Sequence, residues 1–191
     1  MQFRRARLDD FDAIVELQNK NLHHAVIHSD LASGFLATAY SADQFKQMNE
    51  EMGVVVCEQN QQICGYLGAG SIQFYQQFPI AGAMLTRVAD VTYRGAALDL
   101  SRVLVANPVC IDHTYRGDGV YLKLCQTLFQ YLPRQYDLAV TLVPVANQRS
   151  YLATSRLGFE TLEQFELNGM KFHSIIISLR DFECQFMIEV E

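Results

Sequence analysis

The sequence predicts an α/β fold (α+β mixed), in which a central mixed, mostly antiparallel sheet of about seven strands is flanked by helices. Half of the 191 residues are hydrophobic, which is enough to form one sizeable core. Short β-rich segments alternate with amphipathic helical segments along most of the chain. No repeat, low-complexity tract or shift in composition divides it. We therefore expect a single domain over residues 1–191.

The elements are predicted from periodicity and from capping signals. The predicted strands cover about residues 2–8, 54–58, 63–69, 103–111, 138–143, 159–167 and 171–178. The predicted helices cover about residues 9–28, 41–52, 120–132 and 147–157. Ser41 and Gln44 have capping-box spacing, and Gly53 ends the pattern that they begin. The clearest amphipathic helix starts at Val120, because leucines follow it at four-residue steps until Pro133.

Two segments interrupt this regular pattern. Residues 76–101 combine a proline and two glycines with short helical pieces, and we interpret them as an insertion. Pro108 lies inside the apolar run 103–111 and cannot donate a ladder hydrogen bond, so it predicts a bulge or an unpaired stretch there.

Composition and charge exclude several function classes. The net charge is −6 and no Lys/Arg run is longer than Arg4-Arg5, so nucleic acid is not an expected partner. The acidic surface attracts cationic substrates such as amines or serves solubility alone. Five cysteines without a CxxC pair favour a reducing cytoplasm. Without a signal-peptide core or an apolar run of membrane-spanning length, we expect a soluble, cytoplasmic protein with no membrane partner.

The segment from Val109 to Val120 has the form of an apolar strand, a glycine turn and a helix start. Gly117 and Gly119 allow positive φ angles and close approach of a ligand, while the helix start presents unpaired N–H groups. Such a turn suits a pyrophosphate. Arg116 adds a positive charge beside it or braces the loop.

Two other phosphate-binding loops fit this segment less well. A dinucleotide fingerprint needs a third glycine where Leu122 stands, and a nucleotide triphosphate loop needs a lysine where Val120 stands. For two glycines alone, an ordinary loop that caps a core helix remains the alternative.

The segment 111–120 resembles the acetyl-CoA-binding motif of the GNAT superfamily of N-acetyltransferases, Arg/Gln-x-x-Gly-x-Gly/Ala, in which Arg116 and Gly119 match. A second similarity lies downstream, where Asn147, Ser150 and the run Leu157-Gly158-Phe159 follow the pattern of the family. The order of strands and helices is also similar over nearly the whole chain. The resemblance implies a GNAT-like sheet that splays after its fourth strand.

The resemblance also implies a binding mode for acetyl-CoA as cosubstrate. Backbone amides from Arg116, Gly117, Asp118, Gly119 and Val120 would wrap the pyrophosphate. Main-chain groups near Val109 and Ile111 would pair with the pantetheine like an added strand.

Asn147 would contact the cofactor arm or fix the next helix, and a plain helix N-cap is equally compatible with asparagine.

Two positions depart from the family. Tyr121 stands where a small residue is usual, and Thr154 stands where many members place the tyrosine that protonates the thiolate. A threonine hydroxyl is too weak an acid for that role. Tyr151, one turn earlier, is the substitute candidate, with core packing as the alternative.

No Asp or Glu occurs in 101–110 to act as the base that the family usually supplies. Asp112 and His113 are the nearest titratable residues, with turn formation as their alternative role.

The remaining expectations concern the acceptor, metals and partners. Phe35 follows Gly34, in the region where related enzymes wall the acceptor site, and is either a substrate-binding residue or part of a packed connector. His23, His24 and His28 share no recognised ligand spacing with Cys or acidic residues, so no metal is expected.

The apolar segment 182–190 would add a strand to its own sheet or to a partner's in a homodimer. We expect an acetyl-CoA-dependent N-acetyltransferase that acts on a primary amine. The alternative is a catalytically weak acyl-CoA-binding or sensing module.

Overall fold

The computed structural model describes residues 1–26 and 28–187. Ten strands occur in chain order: β1 Gln2–Arg5, β2 Gly53–Gln59, β3 Gln62–Ala69, β4 Thr92–Tyr93, β5 Ala96–Ala97, β6 Val103–Val105, β7 Val109–Ile111, β8 Leu138–Pro144, β9 Glu160–Leu167 and β10 Met170–Ser178. Seven α-helices accompany them in the described part of the chain: α1 Phe11–Lys20, α2 Ala42–Glu51, α3 Ile72–Gln76, α4 Pro79–Val88, α5 Val120–Tyr131, α6 Gln148–Arg156 and α7 Leu179–Phe186. Short 3-10 helices cover Leu8–Asp10, His28–Ser33, Leu100–Arg102 and His113–Tyr115.

The chain forms two compact units. The first contains Met1–Gly70 and Ala106–Leu132, and the second contains Ser71–Val105 and the chain from Pro133 onward. The predicted fold class is confirmed, since antiparallel ladders flanked by helices make up the structure. The strands belong to two four-stranded sheets and one short hairpin. The expectation of one domain stays a prediction.

The first unit is a four-stranded antiparallel sheet in the order β1-β2-β3-β7, with helices against both faces. On β3, a Cβ at Gly65 would meet Leu124 of α5, whereas a Cβ at Gly68 would meet Met48 of α2. Side chains at odd and even positions of a strand point to opposite faces. Helices α1 and α2 therefore cover one face of this sheet and α5 covers the other.

The second unit contains the order β6-β8-β10-β9, in which β6 and β8 are parallel and the other pairs are antiparallel. Helices α4, α6 and α7 contact β9, β8 and β10, respectively. The β4–β5 hairpin is attached by Arg94, which forms ion pairs of 2.6 Å with Glu160 and Asp181. These contacts are exposed, so each contributes little on its own.

Two predicted element ends were wrong. Strand β1 ends at Arg5 because a 3-10 helix begins at Leu8. Helix α1 ends at Lys20, because the Asn21 side chain donates to the Leu17 carbonyl at 2.9 Å and Leu22 forms a bridge to Leu36.

The C-terminal apolar segment contains helix α7 up to Phe186 instead of a strand, and residues 188–191 lie outside the described residues.

Two uncertain regions acquire definite structure. The proposed insertion 76–101 contains α4 and the β4–β5 hairpin, with four residues of α4 buried. The run 103–111 is divided into β6, which pairs with β8, and β7, which pairs with β3. Pro108 lies in the break, after a cis peptide bond with Asn107. The fourth predicted strand therefore changes its pairing partner within its own length. The resemblance had implied that the sheet splays only after this strand.

The capping box predicted for α2 is present. Ser41 Oγ accepts from the Gln44 amide at 3.2 Å, and Gln44 Oε1 accepts from the Ser41 amide at 2.8 Å. Both residues act through local backbone geometry, which explains why sequence spacing alone predicted this helix start. Over the described residues, no helix is both long and apolar enough to cross a membrane.

Arg4 on β1 supplies the main ionic contact of the first unit. Its guanidinium lies 2.6 Å from an Asp10 carboxylate oxygen and 2.6 Å from a Glu58 carboxylate oxygen, with side chains 13%, 10% and 22% exposed. Asp10 also accepts from the Arg7 amide at 2.6 Å. Burial raises the pKa of Asp10, but the hydrogen bonds from Arg4 and Arg7 outweigh it and hold the pKa below the ordinary 3.8.

We expect Asp10→Asn to lower the free energy of unfolding by about 2 kcal/mol, because Arg4 loses one of two buried partners. The lowered pKa means that this stabilisation is complete above the ordinary value and is lost as pH falls through the folded value. Urea unfolding should therefore show a constant difference from wild type near neutral pH and a shrinking difference below about pH 4.

Glu16→Gln is the control for this substitution. Glu16 forms an exposed pair with Lys20, so the variant should unfold like wild type. Equal stability of Asp10→Asn and wild type near neutral pH would contradict the assignment.

Candidate functional site

The turn before α5 has the backbone geometry of an anion-binding loop. Gly117 and Gly119 adopt φ angles of +104° and +74°, which side-chain-bearing residues rarely adopt. Gly119 is the N-cap of α5 and has no side chain to bond the amides that follow. Helix starts normally satisfy such amides with a capping side chain. Here glycine leaves them available.

The amides of this turn make no hydrogen bond within the described part of the chain. From Gly117 to Leu122 no backbone N–H has a protein partner there, and the first paired amide is Lys123, which donates to the Gly119 carbonyl at 3.1 Å. Residues 117–119 are exposed, and apart from Gly119 and its chain neighbours no described heavy atom lies within 4 Å of the position that a Cβ on Gly119 would occupy. The turn therefore has open space in front of Gly119, beside donors that lack a partner among the described residues, at the positive end of a 12-residue helix.

Strand β7 carries a second set of available backbone groups. Hydrogen bonds from the Gly68 amide to Pro108 and from the Asp112 amide to Cys64 bracket its pairing with β3. Antiparallel ladders bond at alternate residues, so Val109 and Ile111 direct their N–H groups away from β3. Neither N–H has a partner among the described residues. An extended ligand with amide groups fits this outer strand of the first sheet.

Arg116 braces the turn through both its main chain and its side chain. Its amide donates to the His113 carbonyl at 3.4 Å, so it is not one of the unpaired donors. Its guanidinium donates to the carbonyls of Ile111 at 2.8 Å and Ser33 at 2.6 Å, and to Asn21 Oδ1 at 2.7 Å. The sequence left open whether the Arg116 side chain adds positive charge beside the turn or braces the loop. The hydrogen bonds of its guanidinium show the bracing role.

Asp112 and His113 lie at the end of β7, as expected. Asp112 Oδ1 accepts from the Thr114 amide at 2.9 Å and so starts the 3-10 helix. Burial raises the pKa of Asp112, but the hydrogen bonds from Thr114 and nearby positive charges lower it below the ordinary value. Such a carboxylate is a weak base at neutral pH. The His113 side chain is 85% exposed, with Nδ1 3.4 Å from Asp112 Oδ1.

Phe35 and Cys110 are packed side chains. Phe35 is 6% exposed, and its ring meets that of His23 edge-on at 4.9 Å between centroids. This burial favours the packed connector over a wall of the acceptor site. Cys110 is 5% exposed, and burial raises the pKa of its thiol to about 12, so it is protonated and unreactive at neutral pH.

The other two predicted site residues, Asn147 and Tyr151, lie in the second unit. Asn147 is buried and accepts from the Ser150 amide at 3.0 Å, which makes it the N-cap of α6. Thr154 is buried and donates to the carbonyls of Ser150 and Tyr151 within the same helix. Its hydroxyl is thus used for local bonding, in line with the prediction that it cannot replace the missing tyrosine.

Tyr151 belongs to a polar cluster that sequence reasoning missed. Its ring stacks on His173 at 4.3 Å, and its hydroxyl lies 3.1 Å from Thr161 Oγ1. Burial lowers the pKa of His173, so this imidazole is neutral at pH 7. Gln164 Nε2 lies 3.3 Å from His173 Nδ1. The sequence gave no sign of this cluster, because His173 is a single histidine in a predicted strand. Its contact with Tyr151 depends on how α6 packs against the sheet.

Comparisons with known proteins bear on the fold. No protein-family model and no curated protein sequence matches the chain. Solved structures do match. YncA from Salmonella typhimurium, solved with its cofactor acetyl-CoA, has a TM-score of 0.60 at 17% identity, with 94% of each chain covered. The fold is that of the GNAT acetyltransferases.

Two further acetyltransferase structures have the same TM-score. A GNAT-family acetyltransferase from Streptococcus pneumoniae has a TM-score of 0.60 at 13% identity, covering 93% of this chain and 98% of that one. A ribosomal-protein-alanine N-acetyltransferase from Brucella melitensis has a TM-score of 0.60 at 16% identity, covering 93% and 99%. These matches extend over nearly the whole chain, and the insertion at 76–101 stays a prediction.

Asn147→Ala should destabilise the protein by about 1 kcal/mol, because α6 loses the side-chain acceptor at its first turn. Asn147→Asp keeps an N-cap oxygen and should retain most of that stability. Thermal unfolding of the two variants and wild type measures the difference. A role confined to a ligand would instead leave both melting temperatures unchanged.

Proposed function

We propose that the protein is an acetyl-CoA-dependent N-acetyltransferase that moves an acetyl group directly from coenzyme A to a primary amine. The observation that carries the proposal is the run of unpaired amides from Gly117 to Leu122 at the start of α5. Phosphate oxygens are the acceptors best suited to such a set of donors. The shared fold with acetyltransferases supports the same ligand class.

Binding would use backbone groups for most of the cosubstrate. The amides of Gly117, Asp118, Gly119 and Val120 would hold the diphosphate, since the Arg116 amide is occupied. The N–H groups of Val109 and Ile111 would bond the pantetheine arm as an added strand. We keep Asn147 as a candidate contact to the cofactor arm, in addition to its capping role. Main-chain recognition explains why few side chains in these segments carry charge.

The reaction would proceed without a covalent enzyme intermediate. The amine nitrogen forms a bond to the thioester carbonyl carbon, the carbon–sulfur bond breaks, and the thiolate receives a proton. His113 is our candidate to accept the amine proton, because an imidazole nitrogen can act as a general base and this side chain is exposed beside Asp112. Tyr151, whose hydroxyl bonds Thr161, is our candidate donor to the thiolate.

The acceptor is a primary amine, which the net charge of −6 favours. The ribosomal-protein-alanine N-acetyltransferase among the similar structures adds protein α-amino groups to the acceptors worth testing. A peptide that begins with alanine, free amino acids and polyamines therefore form the first panel. Cytoplasmic location follows as a proposal from the five unpaired cysteines and from a coenzyme of central metabolism.

The decisive test of the binding site is Gly119→Trp with Gly169→Trp as its matched control. Both glycines have positive φ, +74° and +77°, and at both a Cβ would meet nothing within 4 Å. The two substitutions therefore impose similar backbone strain of about 1–3 kcal/mol. Only the indole at 119 would fill the space in front of the unpaired amides.

We expect acetyl-CoA at 100 times its Kd to stabilise wild type and Gly169→Trp by about 2.7 kcal/mol by mass action. Gly119→Trp should show no such stabilisation in a thermal-shift titration. Equal stabilisation of both variants would place the diphosphate elsewhere.

A second candidate function is an acyl-CoA-binding or sensing module. The observation in its favour concerns Thr154, which stands where related enzymes usually have the tyrosine that donates the proton. Its hydroxyl is bonded inside α6, and a threonine is too weak an acid to take over that role. Release of free thiol from acetyl-CoA across the amine panel separates the two functions. We expect turnover that falls at least about tenfold in Tyr151→Phe or His113→Gln, with unchanged acetyl-CoA stabilisation.

Acetyl-CoA binding without thiol release for any amine would favour the sensing module. Thiol release with unchanged rates in both variants would support the enzyme and reject these proton-transfer residues. Neither outcome would alter the Gly119 experiment, which tests binding alone.

A further inference from the structure

The side chain of Arg116 joins the candidate diphosphate turn to the connection between α1 and α2. Among the described residues, its guanidinium donates to acceptors in three segments: the Ile111 carbonyl at the end of β7, the Ser33 carbonyl and Asn21 Oδ1. All lie in the first unit. Hydrogen bonds from a charged donor are roughly twice as strong as neutral ones. Arg116 therefore fixes the end of β7, the start of the turn and the α1–α2 connection relative to one another.

Asn21, at the start of the α1–α2 connection, links Arg116 to helix α1 and to Leu36. Its Oδ1 accepts from Arg116, its Nδ2 donates to the Leu17 carbonyl at 2.9 Å, and its own carbonyl accepts from the Leu36 amide at 2.8 Å. The His23 amide then donates to the Leu36 carbonyl at 2.9 Å. This short parallel bridge joins the start of the connection to its residues 33–36. We call the segments 21–23 and 33–36 the clamp.

The turn itself has few other attachments. Gly117, Asp118 and Gly119 are exposed and their amides have no partner in the described residues. The Arg116 amide bond to His113 is long, at 3.4 Å. The three guanidinium bonds are thus the strongest observed restraint on the start of the turn. A ligand that orders the turn would also restrict Arg116, and through it Asn21 and the clamp.

We propose that Arg116 is a positioning residue that couples acetyl-CoA binding at the turn to the order of the clamp, with Asn21 as its partner. This inference rests on the proposed function, because it assigns regulation to the same site. It differs from a role in which the guanidinium binds phosphate. In that role Arg116 would act alone, and Asn21 would not affect the ligand.

Amide hydrogen exchange at His23 and Leu36, with and without acetyl-CoA, tests the coupling. In wild type we expect saturating acetyl-CoA to slow exchange at both amides at least about fivefold. In Asn21→Ala the ligand should slow it less than about twofold. Because coupling is reciprocal, Asn21→Ala should weaken acetyl-CoA binding by about the factor of protection that it loses.

Two further variants separate coupling from general destabilisation. Asn21→Asp keeps an oxygen acceptor for Arg116 and loses the donor to Leu17, so it should retain the ligand-dependent protection. Asn49→Ala breaks another Arg–Asn contact of the same unit, where Asn49 Oδ1 accepts from Arg5 at 3.1 Å and from the Val54 amide at 3.0 Å. It should lower stability while leaving the ligand-dependent protection as in wild type.

Each possible result is decisive. If the wild-type protein binds acetyl-CoA and amide exchange at His23 and Leu36 does not slow, the inference is overturned. This measurement needs no variant. Wild-type behaviour in Asn21→Ala, together with a loss of affinity of tenfold or more in Arg116→Gln, would overturn it in favour of direct phosphate binding. Absence of any acetyl-CoA binding to wild type would instead reject the proposed function. Full-length protein is used throughout.

Discussion

The candidate site depends on backbone amides that have no hydrogen-bond partner among residues 1–26 and 28–187. A helix start always has donors without helical partners, and most proteins satisfy them with a Ser, Thr, Asp or Asn side chain. This chain does so at α2 with Ser41 and at α6 with Asn147. At α5 it has Gly119, whose positive φ angle turns the chain into the helix without a capping group. This contrast within one molecule explains why α5, and not α2 or α6, is the candidate anion site.

Strand pairing creates the second part of the same candidate site. Strand β7 pairs with β3 on one side only, so alternate residues have N–H groups without a strand partner. The break at Asn107 and Pro108 separates β7 from β6, which belongs to a different ladder. A proline cannot donate to a ladder, so its position fits this change of partners. The unpaired amides of β7 lead directly into the turn.

Side chains in these segments mostly support the backbone. Arg116 bonds three oxygens, Asp112 caps a 3-10 helix, and the Cys110 thiol is buried. We therefore propose proton transfer for groups that retain some exposure, His113 and Tyr151. Burial and local hydrogen bonding decide which side chains support the backbone and which are candidates for proton transfer. The residue type alone does not decide it, because the same types can serve either purpose. The Asp112 pKa, held low by Thr114, is one example.

The sequence by itself determined the features that depend on local geometry. Periodicity, capping spacing and glycine position predicted most strands and helices, the capping box at Ser41 and the turn before Val120. These signals act within a few residues, so a single sequence contains them. What the tertiary structure alone decided involves distant contacts. The early end of α1, the burial of Phe35, the stacking of Tyr151 on His173 and the bonds of Arg116 to Asn21 and Ser33 are of this kind. They depend on which segments the fold brings together, because hydrogen bonding and burial are set by neighbours far away in the chain.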